Sequence, residues 1–370
     1  ALVKWRIPVL QGGECVKAHL PSNLPVGAKA PKVGWCAHLD TVDAGLSPEI
    51  HPQVIHGYQG GDICLNKEKD LWMRVKEHPE VERYVGDDLV VTDGTSVLGA
   101  DNKSAVANIM TALHIIQDEA RPHGDIYVAF VPDEEIGLCG AKKIYFSKFP
   151  VDFAYTIDSC ELGEIVWQTF NAGSARLDIQ GVTAHPMSSK GVLVNPILAA
   201  HDFIGMLERT ETPECTAGTE GFVWVNGISG GPSKCSVSMK IRDHNLEGYK
   251  AKKALIAAAA EYLKTRYPRA KIALAFEDVY GNIADAIKPE NRACVDLLEE
   301  AMGLEGVKPI NLAMRGGKDD SFISTQGIPT PNYFTGAHNF HSSCEFMPMS
   351  SWLKSLAVTL RLVALTAGGR

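Results

Sequence analysis

The stretch IYVAFVPDEEIG, residues 126–137, carries six apolar or aromatic residues, then a proline, then three consecutive acids. An apolar run without polar alternation is the pattern of a parallel strand buried on both faces. Three adjacent carboxylates repel one another unless something cationic neutralises them. The end of the strand, not its body, is therefore where chemistry is expected. Two other runs share the form: residues 33–37 lead into His38, and residues 153–157 lead into Asp158. Between them, NKSAVANIMTALHIIQ (residues 102–117) places apolar side chains at helical spacing. This alternation predicts an α/β unit with a mostly parallel sheet and ligands at the carboxyl ends of its strands.

From about residue 172 the pattern changes. Strand signals at 175–182, 222–228, 235–242 and 271–277 interleave with helix signals at 195–208 and 246–266, the order of a ferredoxin-like β-α-β-β-α-β unit. The GGPS tract at 230–233 reads as the turn between the two middle strands, since no helix follows it to make a phosphate loop. Helical runs at 290–302 and 350–366 return to the first style. The expected organisation is one α/β domain built from residues 1–171 and 283–370, interrupted by an inserted α+β domain at 172–282.

A chain of 370 residues, 45% of them hydrophobic, exceeds what one core usually supports, which fits two domains. The net charge of -8 arises from 36 basic and 44 acidic residues without a long single-sign run. That balance argues against nucleic acid or a membrane surface as partner. No apolar run approaches the roughly 20 residues of a membrane helix, and no signal-peptide pattern stands out, so a cytoplasmic location is expected. The nine cysteines are odd in number, scattered and never spaced C-x-x-C, and read as reduced residues rather than a disulfide framework or zinc ribbon. The chain opens at Ala1 without an initiator methionine, and further sequence is expected ahead of it.

At the end of the first strand, the side-chain period of two sets His38 and Asp40 on one side. A metal-bound imidazole usually hands its other ring N–H to a carboxylate, so His38 as ligand and Asp40 as its orienter form a coherent pair. Taken alone, so short a pattern favours a metal-free surface pair. Asp101 precedes the first helix, where an aspartate ordinarily serves as N-cap, although its two oxygens also suit it to bridge two cations. In extended chain Glu134 and Glu135 would point in opposite directions, one free to bind metal and the other to act on water. The bland reading is a solvated acidic loop. With Asp158 and His341, the set comprises two histidines and three carboxylates with a spare glutamate. Such a set suits a pair of zinc ions sharing a bridging carboxylate and water, with manganese or cobalt as substitutes.

The ordered motifs Ala37-His38-Leu39-Asp40-Thr41, Thr92-Asp93-Gly94, Leu98-Gly99-Ala100-Asp101, Pro132-Asp133-Glu134-Glu135 and Tyr155-Thr156-Ile157-Asp158 form one series. Phe170-Asn171-Ala172, Ala184-His185-Pro186, Ile241-Arg242-Asp243, Arg315-Gly316-Gly317 and His341 to Phe346 continue it. The series resembles the peptidase T branch of the aminoacylase and carboxypeptidase G superfamily of metallopeptidases, over nearly the whole chain from Val33. The resemblance implies a zinc-exopeptidase-like catalytic domain with an inserted ferredoxin-like lid whose closure limits substrate length. It implies that His38 and Asp158 hold one zinc, Glu135 and His341 the other, and Asp101 bridges them. Glu134 would be the general base and Asp40 the orienter of His38. His185 would help stabilise the oxyanion, in its own subunit or in a neighbour's, which leaves a homodimer open. Arg242 and Arg315 would grip the terminal carboxylate of a small peptide, and Asn171 would touch substrate. On residues alone, His185 reads as a surface histidine and the two arginines as surface ion pairs.

The implied activity is removal of the N-terminal residue from short peptides, tripeptides in particular. A related dipeptidase, carboxypeptidase or N-acyl amino acid amidohydrolase shares the same metals and base, and a catalytically silent metal-binding relative shares the ligands. Three segments depart from the family pattern. Lys318-Asp319-Asp320 stands where Thr-Asp-Gly is usual, Asn102 replaces an aspartate, and Ser342-Ser343-Cys344 replaces Gly-Lys-His. None removes a ligand.

Overall fold

The computed structural model describes residues 1–5, 7–10 and 14–368. Its chain divides into two compact units: one of residues 1–167, 286–312 and 318–370, the other of residues 168–285 and 313–317. The first unit is built on an eight-stranded sheet among the described residues. The four inner strands, Ile126–Val131, Val33–His38, Phe153–Ser159 and Asn332–Phe334, run parallel. Antiparallel strands flank them: Val16–Leu20 pairs with Ile126–Val131, and Glu164–Gln168 pairs with Asn332–Phe334.

The apolar runs are buried on both faces, as parallel strands covered by helices must be. Alternate residues divide between two cores. Val33, Trp35, Ile126, Val128 and Phe130 pack with the helices Ala100–Asp118, Ala293–Leu304 and Met349–Thr366. Cys36, Tyr127, Ala129 and Val131 pack with Phe149 and Ile323 on the other side. Polar groups inside the first core are matched: Trp35 Nε1 donates to Tyr333 Oη at 3.3 Å, and Tyr155 Oη donates to the Cys294 carbonyl at 2.7 Å. A three-stranded antiparallel sheet of Pro52–Ile55, Leu89–Thr92 and Phe346–Pro348 adds to this unit. The bridge between His338 and Phe346 closes the loop that carries His341.

In the second unit, strand Asn171–Gln180, helix Pro196–Gly205, strands Phe222–Gly230 and Lys234–Asp243, helix Leu246–Arg266 and strand Lys271–Tyr280 follow in β-α-β-β-α-β order. All three strand pairings are antiparallel, and the first strand lies between the third and the fourth. The helices begin at Asn195 and Asn245, whose side chains cap the backbone N–H groups of Ile197 and of Glu247 and Gly248. The division differs from the expected 172–282 in one informative respect: residues 313–317, including Arg315, belong with this unit. Met314 N–H donates to the Gln168 carbonyl and Phe170 N–H to that of Gly316, which ties the segment to the entry of the first strand.

Candidate metal centre

The carboxyl ends of three parallel strands supply the first side chains. His38 ends Val33–His38, Asp158 lies near the end of Phe153–Ser159, and Glu134 and Glu135 follow Ile126–Val131. After that strand the chain does not stay extended, because Asp133 adopts φ 61° and a turn begins. Strand alternation is therefore not what separates the two glutamates. Asp40 fixes the turn, its carboxylate accepting the backbone N–H groups of Glu134 and Glu135, each at 3.1 Å. The same carboxylate lies 3.5 Å from His38 Nδ1, whose ring also reaches the Asp40 carbonyl at 3.1 Å.

Asp101 does not cap its helix. Gly99 occupies the N-cap position at φ 69°, and Asp101 itself has non-helical backbone angles. Its two oxygens go to two histidines: Oδ1 is 2.8 Å from His38 Nε2 and Oδ2 is 3.1 Å from His341 Nε2. His341 also lies 3.0 Å from Glu135 Oε1. That approach lacks hydrogen-bond direction, and Glu135 Oε1 is buried without a hydrogen bond. Three groups bring one ligand atom from each member within 4.8 Å of the others: His38, Asp101 and Asp158; Asp101, Glu135 and His341; and His38, Glu134 and Glu135. The first two share Asp101.

The electrostatics are those of crowded acids. Burial, reinforced by Asp158 and Asp319, pushes the Glu134 carboxyl up to about 9. Burial also raises Asp158 to about 7 against the opposing pull of Lys318. Asp40 goes the other way. Burial would raise it, but the His38 ring and the two backbone donors hold it at about 2. A cluster in which burial and crowding oppose the charge on Glu134 and Asp158, and in which a buried carboxylate oxygen lacks a hydrogen-bond partner, has the chemistry of a cation site. Oxygen and nitrogen donors without thiolate suit zinc, manganese or cobalt.

Three residues outside the expected set frame the centre. Glu345, buried, accepts the N–H groups of Gly99 at 2.8 Å and Asp101 at 3.2 Å, and so holds the segment that aims Asp101. Lys318 donates to Asp158 Oδ1 at 2.7 Å and to the Asp158 carbonyl at 2.9 Å. Asp319 is buried with Oδ1 lacking a hydrogen-bond partner. Their sequence signal is faint: an acid inside the apolar run Cys344 to Met347, and charged residues directly after a glycine pair.

The remaining expected residues lie in the second unit. His185 is exposed, with Nδ1 accepting from Met187 N–H at 3.3 Å. Asn171 is buried, donating to the His244 carbonyl and accepting from Asn282 N–H. Neither arginine is in a surface ion pair. Arg242 donates to the carbonyls of Gly173 and Ile241 and lies over the Tyr280 ring. Arg315 donates to the carbonyls of Gly218 and Glu220 and to Thr216 Oγ1, and packs over Phe170 and Phe222.

Residues 168–271 match the family description "Peptidase dimerisation domain". A peptidase T-like protein of Rhizobium meliloti is 49% identical over 356 residues, covering 95% of this chain and 86% of that protein. Peptidase T of Halothermothrix orenii is 39% identical over 353 residues, covering 95% and 86%. Among solved structures, the aminopeptidase PepT of Bacillus cereus superposes with a TM-score of 0.78 at 21% identity, covering 99% of this chain and 90% of that one, a likeness of fold. With identity at these levels along almost the whole chain, the protein belongs to the peptidase T family of aminopeptidases.

Proposed function

We propose that the chain is a dinuclear metallo-aminopeptidase that removes the N-terminal residue from short peptides, tripeptides among them. The observation that carries this reading is the Asp101 carboxylate, one oxygen on His38 and the other on His341, at the junction of two cation-sized ligand groups. His38 and Asp158 would hold one divalent cation, Glu135 and His341 the other, with Asp101 common to both. When bound, such cations supply Lewis acidity and lower the pKa of a shared water. The protein's own residues do the rest. Asp40 presents the Glu134–Glu135 turn and steadies His38, so ligand and base keep a fixed relation. Glu134, beside His38 and Glu135, is the group to take a proton from water and return it to the leaving amine. Arg242, Arg315, Asn171 and His185 are the proposed substrate contacts in the second unit. Half-buried and held by backbone carbonyls, both guanidinium groups are rigid donors.

Two features bear on substrate range. The R. meliloti relative, named peptidase T-like, is nearer in identity than H. orenii peptidase T. Lys318 to Asp320 and Ser342 to Cys344 depart from the family pattern beside the centre. The second reading is a related dipeptidase, carboxypeptidase or N-acyl amino acid amidohydrolase, with the same metals and base. Homodimerisation through residues 168–271 is proposed from the matched domain. None of the helices among the described residues is long and apolar enough to cross a membrane, and all nine cysteines are free. A cytoplasmic setting is proposed on the cysteines.

The deciding assay sets free tripeptides against dipeptides, longer peptides and N-acyl amino acids, for the wild type and Glu134→Gln. Tripeptide turnover that falls about 10²- to 10⁴-fold in Glu134→Gln, at unchanged metal content, is the expected result. Turnover of N-acyl amino acids alone would sink the aminopeptidase reading, and undiminished activity in Glu134→Gln would remove Glu134 as base.

A further inference from the structure

Lys318 brings a positive charge into one half of the centre. Its ammonium sits on Asp158 through both the carboxylate and the carbonyl, and lies 5.6 Å from the Phe340 ring centroid. Asp158 is 2% exposed and shares a cation-sized group with His38 and Asp101. A divalent cation entering that group must compete with the ammonium for the Asp158 carboxylate or leave two like charges a few ångströms apart. The other group, Asp101, Glu135 and His341, contains no lysine and does contain the buried carboxylate oxygen that lacks a hydrogen bond. A cation entering there breaks no contact of Lys318 and gives Glu135 Oε1 a partner. About a fifth of the Lys318 side chain reaches solvent, so the ammonium has a way out.

Resting on the metal-centre reading above, we propose that Lys318 makes the two halves unequal. One cation is held tightly by Asp101, Glu135 and His341. The His38, Asp101 and Asp158 half keeps the Lys318 ammonium as its resident cation and accepts a second metal only when that side chain swings away. The second metal is then exchangeable, and the family's usual threonine at this position would lack the effect because it carries no charge.

The test is zinc binding to metal-free full-length protein, read against a chromophoric chelator for the wild type, Lys318→Thr, Lys318→Gln and Lys318→Arg. The wild type should show two steps separated by about 100-fold or more, and the neutral variants should tighten the second step by about tenfold or more with the first unchanged. Lys318→Arg, which keeps the charge, should stay near wild type. His341→Ala should abolish the tight step and His38→Ala should spare it. Two equally tight steps in the wild type, or an unmoved second step in both neutral variants, overturns the inference and leaves the metal-centre reading standing. Absence of zinc binding in the wild type overturns both. Using threonine and glutamine together guards against one variant failing to fold, checked by circular dichroism.

Discussion

Acid should weaken this protein through a residue that takes no part in the chemistry. His338 stands at the base of the loop carrying His341, where its backbone pairs with Phe346. Its ring is 3% exposed, stacks on Phe346 at 4.8 Å and has Nε2 2.7 Å from Tyr84 Oη. Burial, with help from Arg83, lowers its pKa from 6.5 to about 4, while Glu161 and Glu80 oppose the shift. Between those values the unfolded chain binds a proton at this position and the folded chain does not. Stability must therefore rise with pH across the window and be lost as pH falls from about 6.5 to about 4. At about 1.36 kcal/mol per pH unit, a gap of about 2.5 units amounts to about 3 kcal/mol as an upper figure. Carboxyls titrate over the same range, so the measurement is a difference. Urea unfolding of wild type and His338→Gln, both metal-free, is followed from pH 4 to 7. Glutamine keeps a partner for the Tyr84 hydroxyl, and the lost stacking adds an offset that does not vary with pH. The gap between the two proteins should shift toward the variant by about 3 kcal/mol on acidification. A pH-independent gap would refute the argument.

Asp101→Ala should lose both cations, since both proposed ligand groups draw on this carboxylate, and elemental analysis after gel filtration in zinc-containing buffer would show it; retention of one metal per chain contradicts a shared ligand. A Cβ at Gly140 would overlap the Pro132 carbonyl just before the Glu134 turn. Gly140→Ala should cost about 1–3 kcal/mol in urea unfolding and lower kcat more than it raises KM. Arg315→Lys cannot reproduce the three hydrogen bonds to the 216–220 loop, and should cost about 1–2 kcal/mol in thermal unfolding even without substrate. Tyr155→Phe removes a buried donor from the Cys294 carbonyl and should cost about 1 kcal/mol by the same assay, with activity per folded molecule unchanged.

Reading the sequence works best where local periodicity and buried position coincide. The strand Ile126–Val131 and the helix Leu246–Arg266 have the bounds that their patterns indicate, and His38 and Asp158 sit where parallel strands end. It fails where a local rule is overridden by a distant contact. Asp101 has the position of an N-cap, yet Glu345, more than 240 residues away, holds the backbone that turns it toward two histidines. The Glu134–Glu135 pair escapes strand alternation because Asp40, at the end of the neighbouring strand, gathers both backbone N–H groups. Lys318 reaches Asp158 over 160 residues, a pairing that no spacing rule encodes. Residues 313–317 join the second unit through carbonyl contacts, which leave no signature in side-chain type.

The Asp40 carboxylate has a consequence for how such a protein can diversify. One side chain steadies a histidine ring and anchors the peptide units of two neighbouring glutamates, so none of the three can be re-aimed alone. A mutation that moves the turn to admit a different substrate also disturbs the imidazole, and the variants that persist will be those that leave this hub untouched. Change is channelled outward, to positions such as Ser342 to Cys344, where this chain already departs from the family pattern. The hub limits which specificities are within mutational reach, and the rim decides among them.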